Sequence, residues 1–499
     1  MSQERNAVGS SLPLEVRRKR SSLRLAGTSD RSAACHAPVC GAVRGDESLP
    51  ADIQKKIHDH PCYSEEAHHY FARMHVAVAP ACNIQCHYCN RKFDCANESR
   101  PGVVSERLTP EEAAHKVTAV ASRVPQLSVL GIAGPGDACC NLENVRKTLE
   151  LVRAQIPDLT FCVSTNGLGL VDCVEALQEL GVTHVTITIN MVDPEVGRRI
   201  YPWVYFEHRR WTGLDASKIL HERQMEGLRA LVSRNILVKV NSVMIPGIND
   251  EHLIEVHRVV SEHGAFVHNV MPLLSDPQHG THFGLTGQRE PTHEELAALR
   301  DQLGGGARAM RHCRQCRADA VGMLGEDLGA QFTMDRLGEA VPYDPTQRAA
   351  YRSIAERERE DHRTARRVLR RHLAVVATGP TLLVAVASRG GARINEHFGH
   401  AKELHVFEVS PSGVQFVGQR RIPKYCNGGW GDEDAMAGIL EAARGVSALL
   451  CARVGECPKA ALAEHGIEVS DEHAHEWMET GVSAWYVGRL AKTGLGQSA

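Results

Sequence analysis

Short apolar runs alternate with longer amphipathic stretches along the chain from about residue 72. Six of the runs have the length and composition of β-strands: RMHVAVA (73–79), LSVLGIA (127–133), LTFCVS (159–164), HVTITI (184–189), ILVKVNSV (236–243) and AFVHNVMPL (265–273). Between them the period is helical, and in LTPEEAAHKV Thr109 can cap a helix that begins at Pro110. Six strand–helix units predict a parallel sheet, open or curled into a partial barrel, with its chemistry at the carboxyl ends of the strands.

Beyond the sixth unit the pattern changes twice. A densely charged stretch at about 345–372, which contains AEREREDHRTARRVLRRH, predicts a solvated linker helix. A second α/β pattern then begins with TLLVAVAS (381–388) and continues through ELHVFEVS, VQFVGQRRI, VSALLCARV and GIEVS. We therefore expect a disordered tail at 1–50, a first domain at 51–335, a charged helical linker at 336–380 and a small domain at 381–490.

Composition narrows the class of protein. The chain has 499 residues, a formal net charge of −3 and 43% hydrophobic residues, enough to bury more than one core. Near-neutral charge gives no electrostatic reason to expect nucleic acid or an anionic membrane as a partner. The sequence shows neither an apolar run of membrane-spanning length nor a secretory leader pattern. We expect a cytoplasmic protein that binds neither nucleic acid nor membrane.

The chain contains sixteen cysteines, and four of them fall in PACNIQCHYCNRKFDCANESRPGV. In a reducing compartment, clustered cysteines are more often metal ligands than disulfides. Cys82, Cys86 and Cys89 form C-x3-C-x2-C directly after an apolar strand. A structural zinc site is normally closed by a fourth ligand, often from a second C-x2–4-C pair, and the triplet has no obvious neighbour of that kind. Three thiolates instead leave one iron of a [4Fe–4S] cluster open to a small molecule.

With Tyr88 at its aromatic position, this triplet resembles the C-x3-C-x-aromatic-C signature of the radical S-adenosylmethionine (SAM) superfamily. Zinc ligation and inert cysteines are the alternatives. The resemblance implies a partial (β/α)6 barrel and a [4Fe–4S] cluster that binds SAM. It also implies that AGPGD, STNG, TITIN and VNSVMIPGIND, which end successive strands, hold SAM, although any such turn is rich in glycine and asparagine. The implied SAM-binding residues are Tyr88, Gly134, Gly136, Asp137, Ser164, Asn166, Thr188, Asn190, Asn241 and Ile245.

The remaining cysteines need a separate explanation. Packing in the core is the default for a single cysteine, and we apply it to Cys139, Cys140 and Cys173, while Cys35 and Cys40 in the tail are interpreted as incidental. The C-x2-C of RHCRQCRADAVG is different, because two thiolates at that spacing can grip one metal.

HPC, CNIQCHYCNRKFDCANESRPGV, AGPGD, TITIN and CRQCRADAVG together resemble the NifB family of nitrogenase cofactor biosynthesis over about residues 55–330. The resemblance implies two further [4Fe–4S] clusters that are substrates. One would be held by Cys62, Cys162 and His60, with His58 and His69 as alternatives to His60, and the other by Cys95, Cys313 and Cys316. Glu98 and Arg100 would orient ligands or move a proton, unless they are only a surface ion pair.

The implied activity is that of a radical SAM lyase or synthase. The two clusters would be fused with a SAM-derived carbide and an added sulfur into an eight-iron precursor of the nitrogenase iron–molybdenum cofactor. One SAM would give a methyl group, and a 5′-deoxyadenosyl radical would abstract hydrogen from it. Implied partners are a ferredoxin or flavodoxin as electron donor, cluster-delivery proteins and cofactor-acceptor proteins.

GGARINEHFGHAKELHVFEV (390–409) resembles the NifX-related cofactor-carrier domains, of ribonuclease-H-like α/β fold. His397 and His400 would bind the product, or else are ordinary exposed turn residues. Two other functions stay open for the whole chain. One is a different radical SAM reaction with auxiliary electron-transfer clusters, and the other is an iron–sulfur scaffold or carrier without catalysis.

Overall fold

The computed structural model describes residues 49–90, 92, 106–303, 308–313, 315–338, 342–373, 378–427, 430–431 and 433–493. The tail prediction for 1–50 falls almost wholly outside this range, and so do Cys35, Cys40, Cys95, Glu98 and Arg100. None of the described helices is both long and apolar enough to cross a bilayer.

The strands are β1 (Ala72–His75), β2 (Ile84–Gln85), β3 (Leu127–Ile132), β4 (Thr160–Thr165), β5 (Val182–Thr188), β6 (Trp203–Phe206), β7 (Arg209–Thr212), β8 (Leu237–Met244), β9 (Val267–Pro272), β10 (Arg308–Ala309), β11 (Val321–Gly322), β12 (Leu382–Val386), β13 (Glu403–Ser410), β14 (Gly413–Arg421), β15 (Cys426–Asn427), β16 (Trp430–Gly431), β17 (Val446–Leu450) and β18 (Glu468–Ser470). The helices are α1 (Ala51–Ile57), α2 (Pro110–Arg123), α3 (Leu142–Gln155), α4 (Leu170–Glu179), α5 (Pro194–Gly197), α6 (Gly213–Ser233), α7 (Leu253–Glu262), α8 (His282–Leu285), α9 (His293–Gln302), α10 (Met334–Leu337), α11 (Thr346–Leu373), α12 (Glu433–Ala442), α13 (Glu456–Glu464) and α14 (Met478–Thr493).

The first domain is built on an eight-stranded sheet in the order β10-β9-β8-β5-β4-β3-β1-β11. All six predicted strands are present in it and run parallel to one another. The short strand β10 adds a parallel edge, and β11 pairs antiparallel with β1 at the other edge. The predicted α/β fold class is therefore confirmed, with a sheet that is open between β10 and β11 in the described part of the chain.

The predicted start of α2 is also confirmed. Thr109 Oγ1 accepts a hydrogen bond from the Glu112 amide at 3.2 Å, and Glu112 Oε2 accepts one from the Thr109 amide at 2.7 Å. This reciprocal capping box satisfies amide groups that the first helical turn leaves without partners.

The two faces of the eight-stranded sheet differ in chemistry. Side chains alternate along a strand, so Leu130, Phe161, Val185 and Val238 face the helices and join the main apolar core. We call the opposite side the polar face, and the register of neighbouring strands determines which side chains lie on it. Along it lie His75, Gly131, Cys162, Ser164, His184, Thr186, Thr188, Lys239, Asn241 and Asn269. Arg73 precedes His75 in β1 on the same side.

The charged stretch forms α11 as predicted, but the prediction that it is solvated is wrong. Arg348, Arg359 and His362 on this helix are buried. Arg359 pairs with Glu66 at 2.8 Å, Arg348 pairs with Asp158 at 2.9 Å, and His362 pairs with Glu479 of α14 at 2.8 Å. The dense charge suggested exposure to solvent, because the sequence does not show which carboxylates will pair with these arginines. Those carboxylates, Asp158 and Glu66, lie far away along the chain.

The second domain holds a five-stranded sheet in the order β14-β13-β12-β17-β18. Strand β13 pairs antiparallel with both β12 and β14, and β12, β17 and β18 are parallel. This mixed sheet has the strand order and directions expected of a ribonuclease-H-like fold. Apolar cores lie on both of its sides, one with α14 and the other with α12 and α13.

Candidate active site

The cysteine triplet lies on the loop that follows β1. Cys86 is buried, whereas Cys82 and Cys89 are half-buried. The side-chain Nε2 of Gln85 donates to the carbonyl oxygens of Cys86 at 3.0 Å and Cys89 at 2.8 Å, and the backbone amide of Cys89 donates to the Cys86 carbonyl at 3.1 Å. These bonds curl the loop around Cys86 and Cys89, while β2 separates this turn from Cys82.

The end of β3 is tied tightly to this loop. The Gly136 amide donates to the Ala79 carbonyl at 2.6 Å, and a Cβ on Gly136 would clash with the carbonyl oxygen of Ala81. Only glycine fits so close an approach of two backbones. Gly134, two residues earlier, has a φ of 143°, which also favours glycine.

Asp137 joins the ends of β3 and β4. Its carboxylate accepts hydrogen bonds from Thr165 Oγ1 at 3.0 Å, the Asn166 amide at 2.6 Å and the Cys139 amide at 2.9 Å. Burial raises the pKa of Asp137, while these hydrogen bonds act in the opposite direction. The Asn166 side chain in turn donates to Asn83 Oδ1 at 2.8 Å and lies 3.8 Å from Cys82 Sγ. Asp137 is thus a structural anchor, and Asn166 reaches the cluster loop.

Tyr88 and Asn190 bond to each other. Asn190 Nδ2 donates to the hydroxyls of Tyr88 at 2.7 Å and Tyr201 at 2.8 Å, and its Oδ1 accepts from the Val243 amide at 2.7 Å. All three residues with side chains in this network are buried. The network fixes the cysteine loop against the carboxyl ends of β5 and β8.

The other residues predicted to bind SAM are spread along the same strand ends. Ser164, Thr188 and Asn241 lie on the polar face, in the registers Ser164↔Thr186 and Thr188↔Asn241. Ile245 is buried beyond β8, and its amide donates to Asn249 Oδ1 at 2.8 Å. Gln224 of α6, which sequence reasoning missed, donates to the carbonyls of Asn166 and Thr188, both at 2.8 Å.

The auxiliary ligands predicted around Cys62 meet on the polar face. Cys162 is the register partner of His184, and the ring centroid of His60 is 4.4 Å from that of His184. Burial raises the pKa of the Cys62 thiol to about 12, and the charges of Lys239, Cys316 and Cys162 act on it more weakly. Burial, with the nearby cations, holds the pKa of His60 well below its usual range, so its ring is neutral. Cys62, Cys162 and His60 therefore lie in the same region of the polar face, but not close enough to one another to hold a single metal ion.

The alternatives to His60 lie elsewhere. The ring of His58 contacts the carboxylates of Asp59 and Glu356, beside the buried Arg359 of α11. His69 lies against the second domain, where its carbonyl accepts from the Gly391 amide at 3.3 Å.

The C-x2-C pair is held against the polar face from two strands. Asn269 Nδ2 of β9 lies 3.2 Å from Cys313 Sγ, and Arg73 Nε of β1 lies 3.2 Å from Cys316 Sγ. Arg73 also donates to the carbonyls of Gly322 and Met323, which fixes its guanidinium in place. Within the described residues, no three His, Cys, Asp or Glu side chains are grouped closely enough to hold a single metal ion.

Sequence reasoning missed Arg73, Lys239 and Asn269. Arg73 and Lys239 are only 2% and 4% exposed, which is unusual for cations. The available signal was their position, since Lys239 sits inside ILVKVNSV and Arg73 begins RMHVAVA. Cys173 and Cys139 pack with the main apolar core, as the default for single cysteines expects.

Comparison with known proteins gives the family. Residues 76–260 match the model of the radical SAM superfamily, and residues 380–488 match the model described as dinitrogenase iron-molybdenum cofactor. The FeMo cofactor biosynthesis protein NifB of Sinorhizobium fredii is 58% identical over 457 residues, which is 92% of this chain and 93% of the relative. The chain belongs to the NifB family. NifB of Herbaspirillum seropedicae is 55% identical, over 92% of this chain and 88% of the relative. NifB of Azotobacter vinelandii is 53% identical, over 91% of this chain and 92% of the relative.

Family membership makes it possible to ask whether the residues around the cysteine triplet suit the cofactors of the family. A radical SAM member of the NifB family implies a [4Fe–4S] cluster and SAM at the triplet. The donor set fits, since Cys82, Cys86 and Cys89 lie on one curled loop beside Asn166 and the strand ends. On the polar face, His60 and His184 each keep a buried Nε2 without a hydrogen-bond partner among the described residues.

Proposed function

We propose that this NifB-family chain fuses two [4Fe–4S] clusters, with a SAM-derived carbide and an added sulfur, into an eight-iron precursor of the iron–molybdenum cofactor. One observation carries the proposal. Cys62, Cys162, Cys313 and Cys316, which the triplet does not use, lie with His60 at the polar face, and that face belongs to the same sheet whose strand ends hold the triplet loop. A single cluster used to cleave SAM would leave these buried ligands without a purpose.

Cys82, Cys86 and Cys89 would hold the resident cluster, which, when bound, supplies the one electron that cleaves SAM. The protein's own contribution is placement. Asn166 reaches the loop from β4, and Asp137 and Asn190 fix the loop to three strand ends through protein hydrogen bonds. Because the amide of Asn190 is fully used in this way, we assign it and Tyr88 to positioning the loop. Ser164, Thr188 and Asn241 remain our candidates for contact with SAM.

Cys62, Cys162 and His60 would hold one substrate cluster. His60 suits this role because its buried ring is neutral, and neutral imidazole is the form that binds metals. Cys313 and Cys316 would hold the other with Cys95, and Glu98 and Arg100 would orient ligands or move a proton. Few protein ligands per cluster would ease release, which suits a substrate.

The remaining steps follow from this arrangement. One SAM would give a methyl group to a substrate sulfide, and hydrogen abstraction with deprotonation would leave carbide. A ferredoxin or flavodoxin would supply electrons, and delivery and acceptor proteins would bring the clusters and take the product. His397 and His400 of the second domain, whose ring centroids lie 4.9 Å apart, would bind that product. Free thiols in this number suit the reducing cytosol.

Anaerobic iron quantitation with electron paramagnetic resonance (EPR) tests the proposal. The fully loaded protein should contain about twelve irons in three clusters, and the auxiliary signals should disappear after SAM is added. Cys86→Ala should abolish SAM cleavage, while Cys140→Ala, a nearby cysteine outside the triplet, should retain it. SAM cleavage by the Cys86 variant would refute the radical assignment.

The alternative is a different radical SAM reaction with auxiliary electron-transfer clusters. The buried cations Arg73 and Lys239 beside the thiols are compatible with it. Auxiliary clusters that persist unchanged through SAM turnover would favour this alternative and refute fusion.

A further inference from the structure

A two-stranded hairpin is attached directly to the cysteine loop. It consists of β6 and β7, joined by Glu207 and His208, whose φ angles of 50° and 58° are those of a tight type I′ turn. Strand β2, which lies between Cys82 and Cys86, pairs with β6 in the registers Ile84↔Val204 and Gln85↔Trp203. The hairpin therefore extends the loop that carries the triplet.

The hairpin has two distinct sides. The registers Trp203↔Thr212 and Tyr205↔Arg210 place these four side chains and that of Gln85 on one side, which we call the hairpin face. Val204, Phe206, Arg209 and Trp211 lie on the other side. Val204 there is buried, and the guanidinium of Arg223 from α6 lies 5.3 Å from the centre of the Phe206 ring. The second side is thus covered by α6.

The hairpin face is open to solvent. Tyr205 is 49% exposed, and the exposed Arg210 lies with its guanidinium 4.7 Å from the centre of the Trp203 ring. Next to this face is an open depression of about 480 Å³, lined by Gln85, Cys86, Cys89, Pro202 and His282 among others. Two of the three triplet cysteines therefore border the surface at this point.

The charge around the hairpin is positive. Exposed Arg209 and Arg210 follow the turn, which contributes Glu207. Arg199 is also exposed. It lies close to the depression, because the carbonyl of the next residue, Ile200, accepts a hydrogen bond from the amide of His87, which lines it. Arg198 beside it is neutralised by Glu195 at 2.8 Å.

We propose that the hairpin face is the docking surface for a small acidic protein that delivers single electrons to the triplet-bound cluster. Tyr205 and Arg210 are exposed and Trp203 is half-buried, and tryptophan, tyrosine and arginine are the residue types that dominate binding energy at interfaces. Arginine attracts an acidic partner and speeds encounter, and electron-transfer interfaces are small and transient. The donor loses one electron and the cluster gains it, with no bond made or broken. The inference rests on the proposed function, because it needs the cluster at the triplet.

The test compares two neighbouring arginines. In the cluster-loaded protein, stopped-flow measures the second-order rate constant for reduction by a small acidic ferredoxin, with dithionite as a non-protein reductant in parallel. Arg210→Glu should lower the ferredoxin rate constant roughly tenfold at low ionic strength, with a difference that shrinks as salt rises. Arg209→Glu makes the same charge change at an exposed arginine that points to the other side of the hairpin, with its guanidinium 4.1 Å from the centre of the Trp211 ring, and should have a clearly smaller effect. Tyr205→Ala should weaken ferredoxin binding measured by biolayer interferometry.

Dithionite separates the possible failures. Normal dithionite reduction in all variants, with a selective loss of ferredoxin reduction in Arg210→Glu, supports the proposal. Equal ferredoxin rates in wild type and Arg210→Glu, or equal losses in the two arginine variants, overturn the docking surface and leave the proposed function intact. A wild-type protein whose cluster neither reduces with dithionite nor cleaves SAM overturns both.

Discussion

The two faces of the eight-stranded sheet are made by the same strands and obey opposite rules. The helix-facing side is filled by aliphatic and aromatic side chains such as Phe161 and Val238. The polar face buries two cations, Cys162 and two histidines, His60 and His184, whose Nε2 atoms lack hydrogen-bond partners among the described residues. Burying such groups costs free energy, so the polar face is not explained by stability. We infer that one face holds the fold together and the other is reserved for chemistry.

The largest expected effect separates two adjacent residues in β4. Phe161→Ala removes a buried ring from the helix-facing core and should lower the free energy of unfolding by about 3–5 kcal/mol. Urea denaturation measures this change. Cys162→Ala, the next residue on the polar face, should cost less than about 1 kcal/mol, yet lower the iron content of the loaded protein by about four. Similar losses of stability in the two variants would contradict the division of labour between the faces.

Acid should weaken both faces through buried histidines. Burial lowers the pKa of His184 on the polar face and of His268 on the other face to about 3, from an ordinary 6.5. The unfolded chain therefore binds protons that the folded chain cannot, so stability is complete above about pH 6.5 and falls as pH decreases toward 3. Each histidine should cost about 2 kcal/mol by pH 5. Denaturation curves from pH 7.5 to 5 measure the slope, and His268→Gln should make it shallower.

The smallest expected effect on stability concerns the buried lysine. Lys239→Met keeps similar volume and removes a charge from the polar face, so the free energy of unfolding should stay within about 1 kcal/mol of wild type or rise. Iron bound at the auxiliary sites should nevertheless fall, because the cation near Cys62 offsets the negative charge of thiolate-bound clusters. Lys239→Arg should restore loading. A large loss of stability with unchanged iron content would show that Lys239 serves the fold instead.

Local sequence patterns predicted most of the fold. The six strands were placed correctly because apolar runs bounded by turns are local signals. The start of α2 was also predicted from a local signal, since Thr109 and Glu112 of its capping box lie within four residues. The first strand was predicted to extend to 79, whereas β1 ends at His75. Val76 and Ala79 still donate hydrogen bonds to the carbonyls of Gly131 and Gly134 at the end of β3, but these bonds do not form a regular ladder. The solvated character given to α11 was wrong, since its carboxylate partners Glu66 and Asp158 are hundreds of residues away.

The parts of the candidate site that lie close together in the sequence were predicted, and those assembled from distant strands were not. The triplet and its glycine-rich neighbours were found from spacing alone, because eight residues contain all three thiols. The polar face was not, because Arg73, Lys239 and Asn269 meet only through the registers of β1, β8 and β9. Nor did spacing choose among the histidines near Cys62, which the structure distributes over three different surroundings.

The sequence by itself determined the order of strands and helices, the cysteine loop and the resemblance to a cofactor-building family, since each depends on residues close together in the chain. Only the tertiary structure decided that Cys62, Cys162, His60 and the C-x2-C pair share one face with two buried cations. It also decided that Arg210 and Arg209 point to opposite sides of a hairpin bonded to the cysteine loop. The physical reason is strand register, which sets the facing of every side chain and is fixed by pairing between segments distant in sequence.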